Sequence, residues 1–205
     1  MNYETDELFE YIIDAIKEGK DIPTIEELTW SKYGTEVAVL SIDSTGFTQA
    51  TKERGIVHSL ANLCMMYIAL RPIFEEHGAI SFRLDADNLF SRFGAVDQAL
   101  AASIAANQAL HILDIEIAAN RSLGICTGIG YGYLLESSHK GAYGTEMNLA
   151  SKLGEDIAGD SEILLTTAAY NQLTHPHGCE FDACSTSIAG VNIPYYRTEI
   201  KAVAP

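Results

Sequence analysis

Apolar positions recur along this chain with two periods, and the places where the period changes outline its elements. Leu8, Tyr11, Ile12, Ala15 and Ile16 repeat at helical spacing with acids between them, predicting an amphipathic helix that Asp21-Ile-Pro-Thr-Ile25 ends. Val37 to Ile42 is a nearly continuous β-branched and apolar run, the pattern of a strand inside a sheet. Ala79-Ile-Ser-Phe-Arg-Leu84 and Asn88-Leu-Phe-Ser-Arg-Phe93 read as the strands of a hairpin about the turn Asp85-Ala-Asp87. Gly124 to Gly132 is glycine-rich, but Tyr-Leu-Leu follows where a dinucleotide fingerprint needs a helix, so the segment reads as a strand turning into a hairpin.

The first strand leads into candidate chemistry. Asp43 is expected at its carboxyl edge, and Gly46 lets the backbone turn tightly there. The amides of Ser44, Thr45, Gly46 and Phe47 would then open a helix, a ready site for phosphate, while Asp43 can hold Mg²⁺ or Mn²⁺ through oxygen. Read alone, Asp-Ser-Thr-Gly after a strand is equally ordinary turn or capping chemistry. Asp87 adds weight if the hairpin lies beside the first strand. Two facing carboxylates repel unless cations bridge them, as in two-metal phosphoryl transfer. A third piece is Tyr143-Gly-Thr-Glu-Met-Asn-Leu-Ala-Ser-Lys-Leu-Gly154, where Asn148 and Lys152 share one helical face.

Together these segments resemble the catalytic domain of class III nucleotidyl cyclases, the adenylate and guanylate cyclases, over roughly residues 35 to 200. The family's F-x-D-[IV]-x-G-F is matched by Ser41-Ile-Asp43-Ser-Thr-Gly46-Phe47, and its G-D-x5-F by Ala86-Asp87 and Phe93. The long helix between them corresponds to Ile56 to His77, the next helix to Ala95 to Asn120, and G-I-x-x-G to Gly124-Ile-Cys-Thr-Gly128. V-N-x-A-x-R-L becomes Met147-Asn148-Leu-Ala150-Ser-Lys152-Leu153, and G-E-I-x-V-[ST] becomes Ser161-Glu-Ile-Leu-Leu-Thr166.

The resemblance implies an α+β fold, a ferredoxin-like βααββαβ sheet with extra C-terminal strands in residues 35–205, preceded by an N-terminal helical arm in 1–34. It implies a homodimer with shared active sites. Asp43 and Asp87 of one subunit would hold two divalent ions, and Asn148, Lys152 and the base pocket would come from the other. The product would be a 3′,5′-cyclic nucleotide, with Asn148 orienting the ribose and Lys152 neutralising the α-phosphate. Family members usually carry Arg at the place of Lys152 and a Lys in the late strand, here Ser187 to Tyr196 without one; Lys140 or Arg54 could assist. At the base-selecting positions adenylate cyclases usually have Lys and Asp or Thr, and guanylate cyclases Glu at the first; here stand Arg83 and Gly141. Arg83 only donates hydrogen bonds, which suits a base carbonyl and argues against ATP. Lacking the purine-selecting pair, the chain looks like the bacterial pyrimidine cyclases of antiphage signalling, which make cyclic CMP or cyclic UMP. The alternatives are an ATP or GTP cyclase, a degenerate cyclase-like dimer that binds nucleotide as a regulatory module, and a diguanylate-cyclase-like enzyme suggested by Arg83-Leu-Asp-Ala-Asp87.

Composition narrows this picture. With 205 residues, 47% hydrophobic and 20% charged, the chain can bury one sizeable core. A net charge of −15 with 13 basic residues disfavours nucleic acid as a partner. The same field repels a nucleoside triphosphate, so local cations must neutralise it. Neither a membrane-spanning run nor a signal-like stretch is read, and no membrane partner and a cytoplasmic location are expected. Cys64, Cys126, Cys179 and Cys184 are expected to be reduced, packed thiols, and His175-Pro-His177 a loop.

Overall fold

The computed structural model describes residues 6–137, 141–188 and 190–200. Its centre is the predicted apolar run, which forms the long strand β1 (Gly34–Ser44). The hairpin forms as read, β2 (Ala79–Asp85) and β3 (Asn88–Phe93), with Ala86-Asp87 as its two-residue turn and Ala86 in the left-handed region at φ 55°. Strands β4 (Glu116–Ala118) and β5 (Arg121–Ser122) make a small separate ribbon. Completing the main sheet are β6 (Ile125–Ser137), β7 (Gly141–Tyr143), β8 (Glu162–Thr166), β9 (Asp182–Ile188) and β10 (Val191–Glu199). The order is β2-β3-β1-β6-β8-β10-β9, with β7 paired to β6. The segment read as one late strand is thus the β9–β10 hairpin, whose Ala189 lies outside the described residues.

Alternation along β1 divides the molecule into layers. Ala38, Leu40 and Ile42 face the main core, together with Leu89 and Phe93 of β3 and Ile125 and Ile129 of β6. That face is covered by α4 (Ile56–Glu76), through Leu63, Met66, Leu70 and Phe74, and by α5 (Val96–Leu113), through Ala99, Leu100, Ala106 and Leu110. Each of these large side chains contributes about 2 kcal/mol on burial. By length and composition α4 is long and apolar enough to cross a membrane, but its inner face is built into this core. The short α3 (Phe47–Arg54) precedes it. Helix α5 stops at Asp114, left-handed at φ 47°, well before the Asn120 expected; the ribbon β4–β5 takes up the difference.

Val37 and Val39 point to the opposite face, where α6 (Thr145–Lys152) lies. The glycines of β6 explain how close it lies. A Cβ on Gly128 would overlap the carbonyl oxygen of Ala150 and sit 2.7 Å from the Gly154 nitrogen, and one on Gly130 would come within 2.5 Å of the Glu146 carbonyl. The glycine-rich segment is the expected strand leading into a hairpin, 13 residues long and paired antiparallel with β7, and its bare face is a flat track for a helix backbone. Residues 138–140, between β6 and β7 and including Lys140, lie outside the described residues. After α6 the chain widens into a π-helical turn, Leu153–Ile157.

The N-terminal segment differs from the single helix expected. Helix α1 (Glu7–Lys17) is followed by α2 (Ile22–Tyr33), because Asp21 accepts a hydrogen bond from the Thr24 amide at 2.9 Å and caps a new helix whose first turn tolerates Pro23. Trp30 stacks on Tyr133 at 5.3 Å, which docks α2 against β6. Helix α7 (Thr167–Gln172), capped by the Thr166 hydroxyl, follows β8. Cys126 is buried and its thiol is pushed up to about 12, by burial first and then by Asp43, Asp160 and Glu162; Cys64, expected to be packed, is exposed on α4.

Candidate functional site

Asp43 is the penultimate residue of β1, on the α6 face by the two-residue period, directly opposite Asn88 of β3 and Cys126 of β6. Asp87 precedes Asn88 in the turn, and the hairpin lies beside β1, the condition under which the two aspartates were expected to face each other. The electrostatics record this. The Asp43 carboxyl is pushed up to about 6, first by burial, then by the negative charges of Asp87 and Glu155, against a hydrogen bond from the Ser44 amide.

Glu155 is a residue the sequence reading passed over. It sits in the π-helical turn, and Gly154 beside it packs so tightly that a Cβ would lie 2.8 Å from the Ser41 carbonyl oxygen. The Ser41 hydroxyl lies 3.5 Å from Glu155 Oε1. Burial, then Asp156, pushes the Glu155 carboxyl up, Asp87 adds to this, and Ser151 and Ser41 partly offset it. The acidic pair Glu155-Asp156 is visible in the sequence, but nothing local shows that one of them returns to β1.

The predicted anion turn is partly occupied by protein. The Thr45 amide donates to the Gly124 carbonyl at 3.0 Å, the Thr45 hydroxyl accepts from the Gly124 amide at 2.9 Å, and the Ser44 amide donates to Asp43. Gly46, left-handed at φ 81°, caps α3 without a side-chain bond. Its amide and that of Phe47 belong to the first turn, where no intrahelical partner exists. Arg121, also unforeseen, lies over this turn, its Cζ 3.2 Å from where a Gly46 Cβ would stand and its Nη1 donating to Gln49 Oε1 at 2.8 Å. Arg54, by contrast, is engaged with Glu116 at 2.5 Å.

The remaining predicted residues gather elsewhere on the same face. Arg83 of β2, Gly141 of β7 and Asn148 of α6 line one cavity of about 440 Å³, with Phe90, Tyr143 and Met147 as apolar walls. The Arg83 guanidinium lies 5.3 Å from the centre of the Phe90 ring and 3.8 Å from Asp85, while its Nε is buried without a hydrogen-bond partner. Among the described residues no acidic side chain lines the cavity. Lys152, one turn beyond Asn148, is exposed and outside this lining. A wider cavity of about 620 Å³ at the end of α5, bordered by Asn107, Asp114 and Arg121, contains none of the predicted residues.

One chain thus carries two features on this face: an acidic pair with an amide turn, and a cavity lined by Arg83 and Arg92 together with neutral polar and apolar side chains. The acidic half suits a hard cation. Its donors are carboxylate oxygens, their mutual repulsion is only partly offset by hydrogen bonds, and Asn88 Oδ1, opposite Asp43, is a buried acceptor without a partner. Among the described residues no three His, Cys, Asp or Glu side chains close a complete metal cage.

No protein-family model matches the sequence, and no curated protein matches it. Solved structures do. The guanylyl cyclase Cya2 shares 17% identity over 83% of this chain and 94% of its own, with a TM-score of 0.66. The adenylyl cyclase CyaB from P. aeruginosa shares 20% over 83% of this chain and 96% of its own, at 0.68. The catalytic core of a rhodopsin-guanylyl cyclase with converted specificity, in complex with ATPαS, shares 16% over 82% and 98%, at 0.69. The order of strands and helices around Asp43, the β2–β3 hairpin and α6 is accordingly that of a known architecture: this chain has the α+β fold of the adenylyl and guanylyl cyclase catalytic domain.

Proposed function

We propose that the protein is a nucleotidyl cyclase that converts a nucleoside triphosphate, CTP or UTP in preference to ATP, to its 3′,5′-cyclic nucleotide and pyrophosphate at sites shared by a homodimer. The observation that carries the base preference is Arg83, a side chain that only donates hydrogen bonds, in a cavity whose lining has no carboxylate among the described residues. A donor at this position needs an acceptor from its ligand, which a pyrimidine carbonyl supplies; adenine's amino group would find no acidic acceptor there. Neither Asp43 nor Asp87 lines this cavity, which suits a shared site with base and ribose held by one subunit and the triphosphate by the other.

In this reading Asp43 and Asp87 would hold two Mg²⁺ or Mn²⁺ ions, which supply countercharge for the triphosphate and acidity for the ribose 3′-hydroxyl. Asn148, at the mouth of the base cavity, orients the ribose. The amides of Gly46 and Phe47 take phosphate oxygens at the α3 N-terminus, and Arg121 beside them adds a positive charge to a chain that has few. The 3′-oxygen forms a bond to the α-phosphorus as the bond to the bridging oxygen breaks; the hydroxyl proton passes to solvent and pyrophosphate leaves. Lys152 meets the charge growing on the α-phosphate as a single-point cation, without the forked geometry of Arg.

The test is product identification by mass spectrometry after incubation with ATP, GTP, CTP and UTP plus Mn²⁺, beside Asp43→Ala. Cyclic CMP or cyclic UMP, absent with the variant, is expected. Cyclic AMP or cyclic GMP would keep the reaction and reject the base assignment. Nucleotide binding without product would favour the degenerate, regulatory reading that the replacement of Arg by Lys152 motivates.

Sharing makes a second prediction. Asp43→Ala and Lys152→Ala subunits, each inactive alone, should recover about a quarter of wild-type activity when mixed, because half the dimers are mixed and each has one intact site. Absence of recovery in confirmed heterodimers would place the whole site within one chain.

A further inference from the structure

All three residues of β7, Gly141, Ala142 and Tyr143, line the Arg83 cavity, and among the described residues β7 pairs with the sheet through Leu135, Glu136 and Ser137 of β6 alone. So short a ribbon has little stability of its own. The N-terminal segment grips it at both ends. Asp6, 2% exposed, accepts from the hydroxyl of Ser137, which is fully buried and is the cross-strand partner of Gly141. The same carboxylate accepts from the Leu8 amide at 3.0 Å, so it caps α1 and anchors it in one contact. Three residues on, Phe9 meets the Tyr143 ring edge to face, with centroids 5.6 Å apart and planes at 87°.

We infer that α1 is the outer support of the base cavity: Phe9 is a positioning residue that sets Tyr143 against the nucleotide, and Asp6 fixes Gly141 opposite Arg83 through Ser137. The inference rests on the reading of this cavity as the base pocket. Phe9 and Tyr143 are 39% and 37% exposed, so deep burial does not hold either ring, and their edge-to-face contact is one that displacement of α1 would break. Gly141 is left-handed at φ 100°, and a Cβ there would stand 3.5 Å from Arg83 Nη2, so a small displacement of β7 changes the opening in front of the guanidinium. Binding and arm seating are then linked. A base that packs on Tyr143 stabilises the ring that Phe9 touches, and loss of Phe9 weakens the base.

The experiment uses the full chain with the α,β-methylene analogues of CTP and UTP and Mn²⁺. Hydrogen exchange in the wild type should slow at the amides of Leu8 to Lys17 when the analogue binds. Phe9→Ala should raise the dissociation constant and KM about three- to tenfold, the range of an edge-to-face aromatic pair, with kcat unchanged and the nucleotide-dependent protection lost. Phe9→Tyr should restore both. Unchanged exchange in α1 and wild-type affinity of Phe9→Ala, with affinity lost in Arg83→Ala, would overturn the role of the arm and leave the pocket standing. Wild-type affinity in Arg83→Ala would remove the pocket and the inference together. The exchange measurement requires no variant, so it decides the matter even if Phe9→Ala does not fold.

Discussion

Asp43→Asn is expected to abolish turnover while making the metal-free protein more stable at neutral pH. The two effects have one origin. In the folded chain the Asp43 carboxyl is held at about 6 by burial and by Asp87 and Glu155, whereas in the unfolded chain it ionises near 3.9. Between those values the native state keeps a proton that the unfolded state has lost. Stability from this group is therefore present below about pH 4 and is lost as pH rises through 6. Discounted for partial solvent screening, the loss is about 1 kcal/mol, or about 2–4 °C in Tm for a domain of this size. Asparagine carries no charge and removes it. Turnover should fall about a thousandfold or more, the several kcal/mol associated with bound-metal charge stabilisation. Thermal unfolding of both proteins at pH 5 and 7.5, with and without Mn²⁺, provides the check. Wild type should lose more stability than the variant between the two pH values and regain it with Mn²⁺, which should leave the variant unchanged. A variant less stable than wild type at pH 7.5 without metal would show that Asp43 is a structural carboxylate.

Gly128→Ala should be the most damaging single methyl group in the protein. The added Cβ meets the Ala150 carbonyl and the Gly154 nitrogen, which are backbone atoms, so no rotamer change relieves the overlap. Helix α6 must move outward, taking Asn148 and Lys152 with it. Overpacking of this kind costs about 3 kcal/mol, and the expected fall in Tm is about 6–12 °C. Gly132→Ala is the matched control, because its Cβ would meet only the flexible Cγ of Glu146 at 3.0 Å and the Cβ of the same residue at 3.8 Å. Thermal unfolding of the pair separates the two cases; equal, small losses would mean that α6 is not seated as tightly as its glycine track implies.

The parts of this architecture that were legible in the sequence are those written in local periodicity. The β1 run, the β2–β3 hairpin with its two-residue turn, and the four-residue spacing of Asn148 and Lys152 all concern residues that are neighbours along the chain or across one turn. Asp43 and Asp87 could be paired because a hairpin docking beside a buried strand leaves few registers. What escaped was set by contacts between distant segments. Glu155 reaches the acidic site because Gly154 lies against Ser41 and Gly128, and Arg121 reaches Gly46 because a ribbon replaces the last turns expected of α5. The purpose of the β6 glycines is hidden for a related reason, although the strand and hairpin are legible. Their spacing of two is that of a strand face, but the reason for leaving that face bare is a helix contributed by residues 145–152. Asp21 was read as closing one helix when its side chain opens the next, an ambiguity inherent in a residue type that serves both ends of a loop.

The π-helical turn at Leu153–Ile157 makes the site dependent on chain length as well as residue identity. An α-helix advances about 100° per residue, so removing a single residue there, with every side chain at the site kept, would swing Glu155 away from Ser41 and change the path into β8. Among relatives of this chain, the spacing between the Asn148 block and the strand Glu162–Thr166 should therefore be inherited as a unit with an acid at the place of Glu155. A shortened version of the segment would mark a lineage in which the acidic half-site has been rebuilt.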